Sequence, residues 1–461
     1  MRLAVAALAM ALGACSTVKP PAVALVAPAA PIAPTASVAP VAPARPASAL
    51  ADIQVVTSPG GVTAWLVSES FVPIIAMEMA WKGGAAMEPA DKRGIGWVLG
   101  YMMNEGAGDM DTAAYGGRME DLNMKFACGV WMDWTNCGLS TLKDTADQSF
   151  EMMRQAFAQP RFDDEPFERA KRELASNVRE DETNPRTIAS QTMNAALIPD
   201  HPYAREITAE TVARIDKAST KTLMKQLMTK DRLLVVVVGD ITADELKPKL
   251  DQVFGALPET SALADVPDAI AAPAVRSPIV KHLPLPQTLI LFSGPGIRRD
   301  DPDFYATYTL NYILGGGGFS SRLTDDIREK RGLTYGIGTG LSIQPHFWRW
   351  TGSSSTMNDK ANEVVGLIKE NISRLGKDGP TEKELEDAKQ YLTGSFPLAF
   401  DSNAKIAKNL MGFRQDGMGP DYVEQRNSFF NAVTLEDLRR VAKQYMKPEN
   451  FTFVMVGNPV E

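Results

Sequence analysis

In this chain of 461 residues, the segment 311–340, NYILGGGGFSSRLTDDIREKRGLTYGIGTG, gathers the residue types and spacings best suited to chemistry. Four consecutive glycines occupy 315–318. Glycine runs serve where backbone takes positive φ or comes close to another group, so this one is either a tight turn or a ligand contact. A phosphate cradle is excluded, since no Lys-Ser or Lys-Thr follows at P-loop spacing and G-x-G-x-x-G is absent. Metal chemistry finds little support in the three histidines, His201, His282 and His346. They are far apart, none has a Glu or His at ligand-like helical spacing, and each reads as a solvated or loop histidine. Cys128 and Cys137 share an alternating segment, KFACGVWMDWTNCGLSTL, which suggests a hairpin. A turn centred between Met132 and Asp133 would set the cysteines opposite each other, and a cross-strand disulfide or two packed free thiols would both fit.

The elements that position these residues follow from composition and repetition. Hydrophobic content of 44% with 23% charged residues of both signs is globular, and 461 residues suffice for two or three domains. A formal charge of −8 without a long basic run argues against nucleic acid as a partner. Arg2 and the apolar run that follows read as a secretory signal at 1–15, too short to span a bilayer. Residues 16–50, dominated by Pro, Ala, Val and Ser, read as an extended tether.

Past the tether the chain is written twice. LLVVVVGD at 233–240 recurs as FTFVMVGN at 451–458, and Gly239 and Gly457 are 218 positions apart. At the same offset KQLM at 225–228 falls on KQYM at 443–446, and Ala170-Lys171 on Ala388-Lys389. The expected halves are 51–260 and 278–461, joined by a Pro/Ala-rich linker at 261–277. Strand patterns at 61–69 and 74–81 lead to an apolar helix at 94–104, then helices at 166–181 and 211–228 and a closing strand at 232–238. Thr242 and Glu245 have capping-box spacing, as do Thr381 and Glu384. A helix is expected from Ser320 or Ser321 to Gly332, with a strand beginning near Tyr335. The fold class is α+β, a mixed α/β sandwich in tandem duplication with antiparallel-rich sheets flanked by helices.

These features carry a family resemblance over 53–459. The duplication, with GGGGFSSRL and then Arg331-Gly332-Leu333-Thr334-Tyr335, resembles the insulinase or pitrilysin family of zinc peptidases, and within it the mitochondrial-processing-peptidase group. Active members carry H-x-x-E-H on the first apolar helix. Histidines at i and i+4 share a face and bind zinc, and the Glu activates the metal-bound water. On that pattern Trp97 and Tyr101 stand for the histidines, Gly100 for the Glu, and Asn177, aligned through Pro185, for the third ligand. None of the four can do the original work. The end of the signal, Leu12-Gly13-Ala14-Cys15, resembles a bacterial lipobox, which implies lipidation at Cys15; Ser16 resembles the sorting pattern for an outer-membrane lipoprotein facing the periplasm.

The resemblance also implies a role. In two-subunit members, the subunit degenerate at the zinc site supplies an Arg and a Tyr that hold substrate backbone, and Arg331 and Tyr335 match that R-x-x-x-Y pattern. A glycine-rich loop tied to substrate recognition also occurs there, which makes Gly316, Gly317, Gly318 and Phe319 weaker substrate-binding candidates. The expectation is a non-catalytic subunit that binds no cofactor itself, with zinc in a catalytic partner of the same family, a peptide substrate, and a lipid anchor to the membrane. The alternative is a scaffold that kept the fold and has no role in proteolysis.

Overall fold

The computed structural model describes residues 52–460, so Cys15, the signal at 1–15 and the tether at 16–50 lie outside the described residues. The first sheet holds β1 (Gln54–Thr57), β2 (Thr63–Ser68), β3 (Ile74–Lys82), β4 (Lys125–Val130), β5 (Trp134–Leu142) and β6 (Leu233–Gly239), in the order β1-β2-β6-β3-β5-β4. The second holds β7 (Ile279–His282), β8 (Gln287–Pro295), β9 (Ile337–Gln344), β10 (Phe347–Met357) and β11 (Thr452–Gly457), in the order β7-β11-β8-β10-β9. Among the described residues only β2 with β6 and β7 with β11 pair in parallel. The remaining pairs are antiparallel.

Helices α1 (Ile95–Met102), α2 (Thr112–Asp121), α3 (Ala146–Ala158), α4 (Asp164–Asp181), α5 (Pro185–Leu197), α6 (Ala209–Ala213), α7 (Lys217–Leu227) and α8 (Ala243–Phe254) belong to the first half. The second has α9 (Phe304–Asn311), α10 (Ala361–Asp378), α11 (Glu382–Gly394), α12 (Asn403–Gln415), α13 (Tyr422–Ala432) and α14 (Leu435–Tyr445). The offset of 218 relates α5 to α12 and α7 to α14 at both ends. The fold is therefore α+β with two mixed sheets.

Strand alternation sends residues of one sheet to two different cores. Met77, Met79 and Trp81 of β3 join the core beneath α1 and α3, while Ala76 and Ala80 face the other way. That second face is covered by α12 of the other half, through Ile406, Ala407, Leu410 and Met411. Reciprocally, α5 of the first half covers Leu289, Leu291, Val454 and Val456 of the second sheet through Ala189 and Met193. Each half thus completes the core of the other.

The structure revises several local expectations. The helix expected at 211–228 is broken, because Ile215 is buried between α6 and α7 and the Asp216 side chain accepts a hydrogen bond from Ser219 N to start α7. The helix expected from Ser320 or Ser321 begins at Arg322, directly after Ser321, and widens into a π-helix over Thr324–Glu329, with Gly332 at φ 63 ending the segment. Tyr335 stands in the turn before β9 and not in the strand. Both capping boxes form, at Thr242 with Glu245 and at Thr381 with Glu384.

Candidate functional site

The helix that carries zinc ligands in the active peptidases is α1. Its start is fixed by Glu88, whose carboxylate accepts hydrogen bonds from Gly94 N and Gly96 N, both at 2.8 Å, and pairs with Arg93 at 3.1 Å. This is a negative charge at a helix N-terminus, where the unsatisfied N–H groups favour it. Burial raises the Glu88 carboxyl above its ordinary value despite the opposing pull of Arg93 and the two backbone donors.

Further along α1 the Trp97 and Tyr101 rings stack, with centroids 5.5 Å apart and planes at 27°. They are half-buried and pack against the core. Arg169 of α4 donates from Nε to the Tyr101 hydroxyl at 3.1 Å and from Nη2 to Glu105 at 2.6 Å. Gly100 lets the edge strand β4 lie directly on the helix. A β-carbon there would stand 3.1 Å from Gly129 Cα and 3.2 Å from Cys128 O. Asn177 lies half-buried on α4. A stacked indole and phenol, a glycine and a carboxamide do not make a zinc site, because neither ring offers an imidazole nitrogen and no carboxylate stands at position 100.

Cys128 and Cys137 face each other across β4 and β5 and are joined by a disulfide, with Cα atoms 4.1 Å apart. The hairpin that flanks α1 is thereby closed covalently.

In the second half, α9 widens into a π-helix over Tyr312–Gly316. Gly315 is required by close packing, since a β-carbon would lie 2.7 Å from Thr339 Oγ1 and 2.8 Å from Thr339 N on β9. Gly318 takes φ 57, and the Ser321 hydroxyl donates to Gly318 O at 2.7 Å, closing the turn. Gly316 and Gly317 are held against Asn311 and Tyr312. Phe319 is 67% exposed, with the Arg328 guanidinium 4.6 Å from its ring centroid.

Arg322, in the most specific part of the second-half motif, turns inward. It forms a bidentate ion pair with Glu384, at 2.6 and 2.8 Å, and donates to Gly379 O at 3.0 Å. Arg331 donates from Nε to Asp326 at 3.1 Å while 46% of its side chain stays exposed. Asp326 also accepts from Asn371 at 2.7 Å and pairs with Arg374 at 3.4 Å. Burial pushes the Asp326 carboxyl up, but these donors and positive charges outweigh it and hold it below the ordinary range. Tyr335 is 86% exposed between two buried neighbours, Thr334 and Ile337. Thr334 is fixed by its hydroxyl, 2.8 Å from Ser355 O. With both flanks anchored, the turn between them projects the ring into solvent. Arg331 and Tyr335 are thus brought onto one short, pinned connection beside the sheet edge, while Trp97, Tyr101 and Asn177 belong to the other half.

Sequence reasoning missed a polar junction between the halves, buried at Tyr203 and Asp133 and open to solvent at Asp268. Tyr203 donates its hydroxyl to Asp133 at 2.5 Å, His201 Nε2 lies 2.9 Å from Pro267 O, and His346 Nδ1 lies 3.2 Å from Asp268. Burial raises the Asp133 carboxyl, with the Tyr203 hydrogen bond opposing. His201 and His346 both lie in loops, one of the two settings expected for them, and there His201 is buried and His346 half-buried. The flanking prolines of His201 signalled a loop correctly but carried no information on what would cover it.

Comparison with known proteins agrees with this geometry. Residues 66–211 match the model for the insulinase family, peptidase family M16, and residues 214–392 match the model described as the peptidase M16 inactive domain. A non-peptidase homologue, YmxG, from Helicobacter pylori is 22% identical over 392 residues, covering 84% of this chain and 90% of that protein. An uncharacterised zinc protease, YmxG, from Bacillus subtilis is 24% identical over 410 residues, covering 88% and 98%. A crystal structure of a peptidase M16 inactive domain from Pseudomonas fluorescens superposes with a TM-score of 0.82 at 26% identity, covering 89% of this chain and 98% of that one. With every metal-ligand position of its first helix replaced, this chain belongs to the insulinase family, peptidase family M16, as a non-catalytic member.

Proposed function

We propose that this chain is the substrate-positioning subunit of a heterodimeric peptidase whose zinc is carried by a catalytic partner of the same family. The observation that carries the reading is Tyr335, 86% exposed on a pinned turn with the half-exposed Arg331 four residues before it. A guanidinium oriented by Asp326 and a fixed phenol are donors suited to a peptide carbonyl, and they do not read its side chain. Next to them β9 is a sheet edge, whose backbone groups can take up an extended peptide as one more strand. The chain binds and orients the peptide; attack by zinc-activated water belongs to the partner. An exported lipoprotein anchored through Cys15 on the periplasmic side of the outer membrane fits the sequence 1–50 and is part of the same proposal.

The test is to reconstitute the chain with its candidate H-x-x-E-H partner and compare Arg331→Ala and Tyr335→Ala with wild type. The expected outcome is a fall in kcat/KM of about 10- to 100-fold, roughly 1.4–2.7 kcal/mol of transition-state binding, with assembly unchanged. Unchanged turnover in an intact assembly would sink the positioning role and favour the scaffold. The isolated chain is expected to contain no stoichiometric zinc by metal analysis and to cleave no peptide.

A further inference from the structure

The half-exchange of helices supplies an internal comparison. Where α12 lies over the first sheet, Trp134 of β5, paired across from Lys82, packs against the apolar face. The corresponding place in the second sheet is Arg349 of β10, paired across from Pro295. Where the first half puts an indole, the second puts a cation beneath α5.

That cation is poorly compensated. Among the described residues the Arg349 side chain makes one hydrogen bond, from Nη1 to Asn194 at 2.9 Å, and stacks over Phe347 with its guanidinium carbon 5.2 Å from the ring centroid. Its Nε is buried without a partner, and among the described residues no carboxylate lies within ion-pair distance. Burial accordingly holds the guanidinium below its ordinary basicity. Arg349 is half-buried, and a charge withdrawn from water without an ionic partner is costly; here it borders empty space. Arg349 and Ser293 line both a cavity of about 200 Å³ and a neighbouring one of about 310 Å³. The smaller cavity has an apolar wall from Met193, Leu289 and Leu291, a polar stripe from Thr351 and Ser353 beside Arg349, and the exposed Arg186 among its lining residues.

We propose that the pocket between α5 and the β8–β10 face binds a carboxylate carried on a short apolar group. Arg349 holds the carboxylate, and Met193, Leu289 and Leu291 take the apolar part. A planar guanidinium matches a carboxylate in shape and charge. A volume well under that of a drug-sized pocket admits a short aliphatic chain or one apolar side chain and excludes a folded partner. The same chemistry is offered by a free short-chain fatty acid and by the apolar C-terminal residue of a peptide. The site does not depend on Arg331, Tyr335 or the partner subunit.

Titration calorimetry on the purified chain tests this with hexanoate, N-acetyl-glycyl-leucine and, as the uncharged control, hexanamide. Saturable binding of at least one carboxylate is expected, with hexanamide silent. Arg349→Leu is expected to weaken it at least tenfold while keeping the fold, and Ser190→Trp, which fills the pocket from the exposed side of α5 and leaves Arg349 in place, is expected to do the same. Binding of hexanoate alone identifies a free fatty acid as the source; binding of the dipeptide alone identifies a peptide C-terminus. No saturable binding of either carboxylate, equal binding of hexanamide, or full binding by Arg349→Leu would overturn the proposal.

Discussion

Glu78 shows how one side chain couples this fold to pH. It lies on β3 among residues that face α12, and burial raises its carboxyl from the usual 4.5 to about 7, with Lys408 pulling the other way. Between those two values the folded protein keeps a proton that the unfolded chain releases. Stability therefore falls as pH rises from about 4.5 to about 7, and the loss is complete above the folded value. Glu78→Gln is expected to remove that slope and to stabilise the protein above pH 7 by on the order of 1–3 kcal/mol. Denaturant unfolding at pH 5 and pH 8 measures it, and an unchanged difference between the two pH values would refute the assignment.

At the scale of an element, the β4–β5 hairpin presents the edge of the first sheet to the degenerate helix, with Gly100 and Gly129 allowing the approach. The Cys128–Cys137 disulfide closes a short loop within that hairpin, at a sequence separation of 9. The chain-entropy account for so short a loop gives about 2–3 kcal/mol. Replacing both cysteines with alanine is expected to lower stability by about that amount and to raise amide exchange in β4 first, because β4 is an edge strand with a single partner. Exchange that rises evenly over the whole sheet would contradict this.

Across the molecule, the exchange of α5 and α12 makes the halves interdependent. Without α12, the face formed by Trp65, Ala76, Ala80, Val236 and Val238 would be bare, an exposed apolar patch of the kind that drives association. Residues 52–260 expressed alone are expected to aggregate and to become soluble on co-expression with 278–460. In the whole chain Leu410→Ala, at a fully buried position of α12, is expected to cost about 2–5 kcal/mol, with both sheets lost in one transition. Two separate transitions by circular dichroism and tryptophan fluorescence would show that the halves fold independently.

Features encoded by short-range chemistry are legible in the residues alone. Capping at Thr242 and Thr381, the stop at Gly332, the facing cysteines and the loss of H-x-x-E-H all depend on residues a few positions apart. The duplication was equally legible, because strand and helix patterns repeat at one offset, β6 with β11, α4 with α11 and α7 with α14. Which half each helix covers is set by long-range packing, since an apolar face is compatible with either sheet and the choice depends on the course of the chain between them. The same packing also buried His201, turned Arg322 onto Glu384 62 residues away, and left Arg349 without a carboxylate where its counterpart Trp134 is packed. Such partners lie far apart in sequence, and packing selects them where no local propensity can.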